Sequence, residues 1–244
     1  MPAYRCRHYS YMVGPLTTLD GSLTLECSRY GETYRSRRGA LTEARHVFLD
    51  ASGVAGLLPT RKHAKVLELG FGTGLTFLVT AEAAARSGAR LEYVAFERDP
   101  LGADVLADLR YAQLLAPFDG PDELVEWWTS LGTPVPEGAH EWRHGQTTLT
   151  LMVGEAARLI GGIPGGTFDA VYLDPFSPRA NPEAWAEALL AGMAAALAPG
   201  GRLVTYSVSG EVRRRLQRAG LAVKKVPGPE GGKRESLVAQ AGAA

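Results

Sequence analysis

The stretch Val66 to Gly74, VLELGFGTG, constrains this chain more than any other. Val66, Leu67 and Leu69 form a short apolar run that reads as a buried parallel strand. Gly70, Gly72 and Gly74 follow at once, and Leu75 to Ala85 is apolar and alanine-rich, the opening of a helix. Strand, glycine turn and helix together bring a ligand against bare backbone and a helix N-terminus. Glycine suits such a turn because a Cβ would block close approach and because φ > 0 is costly for other residues.

The spacing narrows the ligand. A dinucleotide fingerprint would place glycine at position 75, where this chain has Leu. Instead the order is Glu68-x-Gly70-x-Gly72-x-Gly74, with a carboxylate two residues before the first glycine. That charge repels a pyrophosphate and attracts a sulfonium or an amino group. The pattern resembles the first motif of Rossmann-like S-adenosylmethionine (SAM)-dependent methyltransferases. Under that resemblance Glu68, Gly70, Phe71, Gly72, Thr73 and Gly74 are expected cofactor contacts.

Further strand ends carry acids. Leu91 to Glu97 reads as a second buried strand, and Glu97 lies 23 residues past Gly74. One helix plus one strand is the distance at which a strand-end acid reaches a ribose diol, whose two hydroxyls a carboxylate can accept. Leu149 to Val153 is a third strand running into Gly154-Glu155-Ala156, where an acid can accept from an adenine amino group and a backbone N–H can meet the ring. Phe168 to Leu173 is a fourth, followed by Asp174-Pro175-Phe176-Ser177-Pro178. Arg202 to Ser207 is a fifth, after the turn Pro199-Gly200-Gly201.

The other segments are framed around these. Residues 4–38 alternate polar and apolar, and Asp20-Gly21 suggests a β-hairpin. Residues 41–58 read as helical or mixed, with Pro59 to His63 a polar connection. Pro100 to Leu115 reads as one helix. Residues 111–147 read as an insertion, its prolines interrupting a segment whose Trp127, Trp128 and Trp142 suit core packing better than stacking on a base. Trp185 to Leu197 and 211–219 are helices, and Leu221 to Val226 pairs antiparallel with Ser236 to Ala239. The expectation is an α/β fold: a Rossmann-like, doubly wound, mostly parallel sheet with an antiparallel C-terminal strand pair, as in class I SAM methyltransferases, plus an N-terminal β-hairpin extension. Its expected division is residues 1–60 for the extension and 61–244 for the Rossmann-like domain. Ligands in such sheets bind at the carboxyl ends of strands, where all these acids fall.

Composition excludes several classes. The 244 residues, 45% of them hydrophobic, are enough for one large domain. Cys6 and Cys27 are the two cysteines, too few for a disulfide framework and without a dense Cys/His cluster for a metal. No apolar run reaches the ~18–20 residues of a membrane span and no leader pattern opens the chain, so the expected location is cytoplasmic. Net charge is zero but uneven: residues 1–46 hold seven Lys/Arg against four acids, and residues 211–235 hold eight against three. Basic ends around an acidic middle fit a polyanion met by the ends and a cation held in the middle.

LELGFGTGLTF, LDPFSPRANPEAW (173–185), APGGRLVTYSVSGEVRRRLQRAG (198–220) and GGKRESL (231–237) together resemble the methyltransferase part of the MnmC family, which includes stand-alone MnmD-type proteins. LTEARHVFL (41–49) is similar to a family segment that precedes the SAM site, so the resemblance spans most of residues 41–239. It implies a SAM-dependent tRNA methyltransferase that completes 5-methylaminomethyl-(2-thio)uridine at the wobble position, on a substrate supplied by upstream tRNA-modifying enzymes. It implies SAM contacts at Gly70, Gly72, Gly74, Glu97 and Glu155, with Ala156 beside them, and a catalytic role for Asp174, which also joins the cofactor contacts. Two departures stand out. The family commonly has Asp-Gly-Phe-Ala/Ser-Pro where this chain has Asp174-Pro175-Phe176-Ser177-Pro178, which brings it nearer the Asp/Asn-Pro-Pro-aromatic loops of amino-group methyltransferases. The bifunctional members also continue into a flavin-dependent oxidase, so methyl transfer alone is expected here.

The residue types fit the chemistry. An alkylamine resembles lysine, with a reference pKa of about 10.4, and is mostly protonated at neutral pH. Asp174 can accept its hydrogen bond, orient the lone pair and take the proton. Phe176 is suited to stack on the uracil ring. Arg213, Arg214, Arg215, Arg218, Lys233 and Arg234, with Lys224 and Lys225 and with Arg35, Arg37 and Arg38, are candidate phosphate contacts. Three other readings fit part of the pattern: a methyltransferase of a small-molecule or protein amine, an aminopropyl transferase, and a non-catalytic nucleotide-binding protein.

Overall fold

The computed structural model describes residues 4–6 and 9–243, with side chains from Gly14 onward. The first sheet has four antiparallel strands in sequence order: β1 (Tyr4–Cys6), β2 (Tyr9–Thr17), β3 (Leu23–Cys27) and β4 (Glu32–Thr33). The Asp20-Gly21 turn joins β2 to β3, and the Asp20 carboxylate ties it by accepting from Thr18 Oγ1 at 2.7 Å and the Ser22 N–H at 3.1 Å. Cys27 is buried; the expectation for Cys6 falls outside the described side chains.

A helical run follows: α1 (Ala40–Glu43), a π-helical stretch Ala44–Asp50, and α2 (Val54–Arg61). α2 continues through Pro59, which was expected to open a connection, and Lys62 in the left-handed region ends it. The second sheet then begins. In chain order it comprises β5 (His63–Leu69), α3 (Leu75–Ser87), β6 (Arg90–Glu97), α4 (Ala103–Asp108), α5 (Tyr111–Leu114), α6 (Gly120–Ser130), β7 (Gly138–His144), β8 (Thr147–Val153), α7 (Ala156–Leu159), β9 (Phe168–Leu173), α8 (Glu187–Ala195), β10 (Leu197–Thr205), α9 (Gly210–Arg218), β11 (Ala222–Pro227) and β12 (Glu235–Gln240).

The eight strands lie in the order β11-β12-β10-β9-β5-β6-β8-β7. The five from β10 to β8 are parallel, β7 and β12 run antiparallel to them, and β11 pairs antiparallel with β12. The chain winds outward from β5 through β6 and β8, then crosses to β9 and β10, so the order reverses between β5 and β9. A crevice opens at such a reversal, outside the carboxyl ends of the strands.

The strands alternate between two apolar layers. Val66 faces the layer built with α3, the π-helical stretch and α6; Leu67 and Leu69 face the layer built with α8 and α9. Two local readings are revised. Pro100 to Leu115 is not one helix but α4 and α5, broken where Arg110 takes φ 53°. The stretch 111–147 is more regular than its prolines suggest, holding α6 and the edge strand β7. Its tryptophans pack: Trp128 stacks on Phe71 at 5.4 Å and donates from its indole nitrogen to the Leu101 carbonyl at 2.8 Å, and Trp142 meets Phe77 edge-on at 5.5 Å. Burial of each such ring is worth about 1.5–3 kcal/mol or more, which holds the interruption against the sheet.

Candidate active site

Four strand ends converge on one cavity of about 590 Å³. β5 delivers Gly70 and Gly72, β6 delivers Glu97, β8 delivers Glu155 and Ala156, and β9 delivers Asp174 and Phe176, all in its wall. The glycine turn is demanded partly by the protein itself. Gly70 has φ 90°, and a Cβ there would lie 3.1 Å from the Asp174 carbonyl oxygen and the Pro175 nitrogen. Gly72 has φ 54°, and its Cβ would meet the Tyr34 ring at 3.1 Å. These approaches seat the β9 loop and the N-terminal segment directly on the turn.

Glu97 is organised by backbone. Its two oxygens accept the N–H groups of Gly72 and Asp99, each at 2.8 Å. Burial raises its pKa, and those two donors pull the other way. Their combined effect is a carboxylate fixed in orientation at the cavity wall. Glu155 is half-exposed across the cavity, 3.8 Å from Arg98, whose guanidinium also reaches Asp99 at 3.2 Å and the Tyr30 hydroxyl.

Asp174 sits deeper, its side chain 4% exposed beside the Arg35 guanidinium, itself 2% exposed. Burial pushes the carboxyl up to about 7; Arg35 opposes this, Glu43 adds to it, and Lys233 opposes it. The loop that follows is pinned on three sides. Tyr206 donates its hydroxyl to the Pro175 carbonyl at 2.7 Å, and Trp185 donates its indole N–H to the Phe176 carbonyl at 2.8 Å. Glu32 accepts the Ser177 N–H at 2.9 Å and its hydroxyl at 2.5 Å. Phe176 packs against Tyr30 at 4.4 Å and Tyr34 at 5.0 Å. Pro175 therefore leaves the loop ordered, with its nitrogen turned to Gly70.

Not every expected residue reaches the cavity. Glu68, Phe71, Thr73 and Gly74 are absent from its wall. Glu68 shares the face of Val66 and is fully buried beside Tyr93, in the field of Arg35 and Asp174. Burial raises its pKa well above the carboxylate range, so it does not present the surface charge expected from the motif. Phe71 turns into the core against Trp128 and Phe77. Thr73 is buried near the Tyr111 hydroxyl, and Gly74 caps α3 against the Phe71 ring. Strand alternation and core packing override proximity in sequence at these four positions.

The basic residues divide. Arg214 and Arg215 share Glu211 at 2.7 and 3.0 Å, and Arg218 forks onto Glu187 at 2.7 and 2.9 Å, so two carboxylates offset part of the α9 charge locally. Lys225 pairs with Glu235 at 2.7 Å and Arg37 with Glu26 at 2.6 Å. Arg213, Lys224 and Arg234 are exposed without an ion pair among the described residues. Lys233 lines the cavity with its ammonium 4.0 Å from the Tyr206 ring centre, and Arg38 donates to the Gly231 carbonyl at 3.3 Å across the mouth. Arg35 is no phosphate contact, being enclosed beside Asp174. Tyr30, Glu32, Tyr34 and Glu43 were missed; the one signal was the crowding of aromatic and charged residues in RYGETYRSRRGALTE.

The wall suits SAM: a fixed carboxylate for a diol, an acid and a small residue at a strand-to-helix turn, and bare glycine backbone on one face. Comparisons agree. A family described as S-adenosyl-L-methionine-dependent methyltransferase matches residues 123–242. The chain is 41% identical over 207 residues to the tRNA 5-methylaminomethyl-2-thiouridine biosynthesis bifunctional protein MnmC of Aromatoleum aromaticum, covering 83% of this chain and 32% of that one. It is 40% identical over 219 residues to the protein of the same name from Pseudomonas aeruginosa, covering 85% and 32%. The chain thus spans about a third of the length of these relatives. Among solved structures it is similar to MnmC2 from Aquifex aeolicus, with TM-score 0.77 and 28% identity over 98% of this chain and 73% of that one. A probable spermidine synthase from Corynebacterium glutamicum, TM-score 0.53 and 13% identity, shares the fold. Fold, site and relatives together identify the chain as a SAM-dependent methyltransferase of the group related to MnmC.

Proposed function

We propose that this methyltransferase acts on tRNA, converting the 5-aminomethyl group of a wobble (2-thio)uridine to 5-methylaminomethyl. The observation that carries the reading is Asp174, a buried carboxyl beside Phe176 in the same cavity as Glu97 and Gly72. The names and extent of the MnmC relatives support the substrate. When bound, SAM supplies a methyl group on a sulfonium that a nitrogen lone pair can displace.

The chain's own residues have separable tasks. Glu97 holds the ribose diol, with Gly70 and Gly72 giving close backbone approach and Glu155 with Ala156 bordering the base. Asp174 accepts a proton from the substrate ammonium, which frees the lone pair. Its pKa of about 7 leaves it ionised often enough at neutral pH to do so. Phe176, buttressed by Tyr30 and Tyr34, provides a flat surface for the uracil. Positioning two reactants in one cavity supplies most of the acceleration. The tRNA backbone meets the cavity rim, where Lys233 and Arg38 stand with the exposed Arg234 next to Lys233 in the chain, instead of the Arg214 and Arg218 side of α9, whose charges Glu211 and Glu187 partly offset.

The test is transfer of a labelled SAM methyl group to tRNA from cells lacking this modification, with nucleoside analysis of the product. Appearance of 5-methylaminomethyluridine is expected. Absence of transfer with SAM binding intact would overturn the tRNA reading and favour a small-molecule or protein amine, an alternative consistent with zero net charge.

A further inference from the structure

The surroundings of Asp174 are built largely by chain that lies outside its own sheet. Arg35 comes from the segment after β4, Glu43 from α1, and Lys233 from the loop between β11 and β12, while Glu68 comes from β5 and Tyr206 directly follows β10. Arg35 is held from both sides. Its N–H donates to the Thr24 hydroxyl at 2.9 Å, and the next residue, Ser36, donates its N–H to the Glu43 carboxylate at 3.1 Å. Its guanidinium lies over the Phe48 ring, 5.6 Å from the centre, and beside the Asp174 carboxylate. The segment is clamped to the β9 loop by Glu32 on Ser177 and by Tyr30 and Tyr34 on Phe176.

One buried guanidinium therefore faces three buried carboxyls, Asp174, Glu43 and Glu68, with Lys233 at the edge. In a medium of low polarity these three cannot all be ionised against one cation. The guanidinium is placed against Asp174, and Glu43 accepts the Ser36 N–H and is offset by Lys233, which leaves Glu68, pushed furthest up by burial, as the acid that keeps its proton. We propose, building on the function above, that Arg35 and Glu43 are positioning residues of the reaction: Arg35 fixes and supports the Asp174 carboxylate, Glu43 opposes it, and the N-terminal segment thereby governs when Asp174 takes the substrate's proton.

The proton balance explains the need for both signs. A substrate ammonium must give up one proton before its nitrogen has a lone pair, and an oxygen of Asp174 receives it and later releases it to solvent. Without Arg35 the acid is already protonated at neutral pH and cannot receive it. Without Glu43 the carboxylate is held ionised too firmly and becomes a weaker base.

The test reads Asp174 itself. Protein labelled with 13C at aspartate carboxyls is titrated by NMR, the Asp174 signal being assigned by its loss in Asp174→Asn. Arg35→Gln is expected to move the Asp174 midpoint upward by about one pH unit or more, and Glu43→Gln to move it downward. The acid limb of the methyl-transfer pH profile moves in the same directions, and Arg35→Lys recovers most of the upward shift. Unmoved midpoints in both variants, or shifts of the same sign, would overturn the proposal. Should Arg35→Gln fail to fold, the downward shift in Glu43→Gln decides alone. Opposite shifts without methylation of tRNA would retire the tRNA reading and retain this one.

Discussion

The two walls of the cavity are made differently. One is formed by the ends of β5, β6 and β8, where Gly70, Gly72, Glu97 and Glu155 each lie within three residues of a strand terminus. The other combines Asp174 and Phe176 of the β9 loop with Tyr30, Glu32, Tyr34, Arg35 and Glu43 from far upstream and Lys233 from far downstream. The first wall needs only local pattern and the reversal of strand order. The second exists only after the N-terminal sheet has docked. A site of this kind can keep one wall constant for a common cofactor and vary the other for its acceptor.

The largest effect should come from the second wall. Asp174→Asn removes the base and is expected to slow methyl transfer by about 10²- to 10⁴-fold, measured under single-turnover conditions. Because the carboxyl is raised to about 7 and works when ionised, wild-type activity should climb as pH rises through that value, and the variant should lose this limb. A variant that kept both rate and pH limb would dissolve the distinction between the walls.

A smaller effect separates the rim from α9. Lys233→Ala and Arg234→Ala should each weaken tRNA binding and reduce the dependence of log K on log salt by about 0.7, the value for a lost single-strand phosphate contact. Arg214→Ala and Arg218→Ala should leave that slope unchanged, since Glu211 and Glu187 already hold their charges. Filter binding across a salt series reads this directly, and equal slopes for the two pairs would return α9 to the interface.

Legibility in the sequence follows the same division. The parallel strands, the glycine turn and the acids at strand ends were readable because period and spacing are local signals. Glu68 and Phe71, expected at the cofactor, lie outside the cavity wall, because the pleat turns Glu68 to the face of Val66 and Phe71 packs on Trp128 and Phe77. Arg35 looked like a surface cation beside Arg37 and Arg38; only its tertiary position shows it enclosed against Asp174. The α9 arginines were read without their partners: Glu211 is close in sequence, but Glu187 lies on another helix. Pro59 and the prolines of 111–147 were weighted as breakers; α2 runs through Pro59, whereas Pro121 sits in the first turn of α6 and Pro134 and Pro136 precede β7, so helix and strand form between the prolines.

The division of labour between the walls is tested most directly by calorimetric titration of SAM into the wild type, Glu97→Gln and Asp174→Asn. Loss of a charge-assisted hydrogen bond to the ribose is worth about 1.5–3 kcal/mol, so Glu97→Gln should bind SAM at least about tenfold more weakly, while Asp174→Asn should bind it within about threefold of wild type. Equal losses of SAM affinity in the two variants would contradict the account, placing Asp174 in the cofactor wall and leaving the proton without its acceptor.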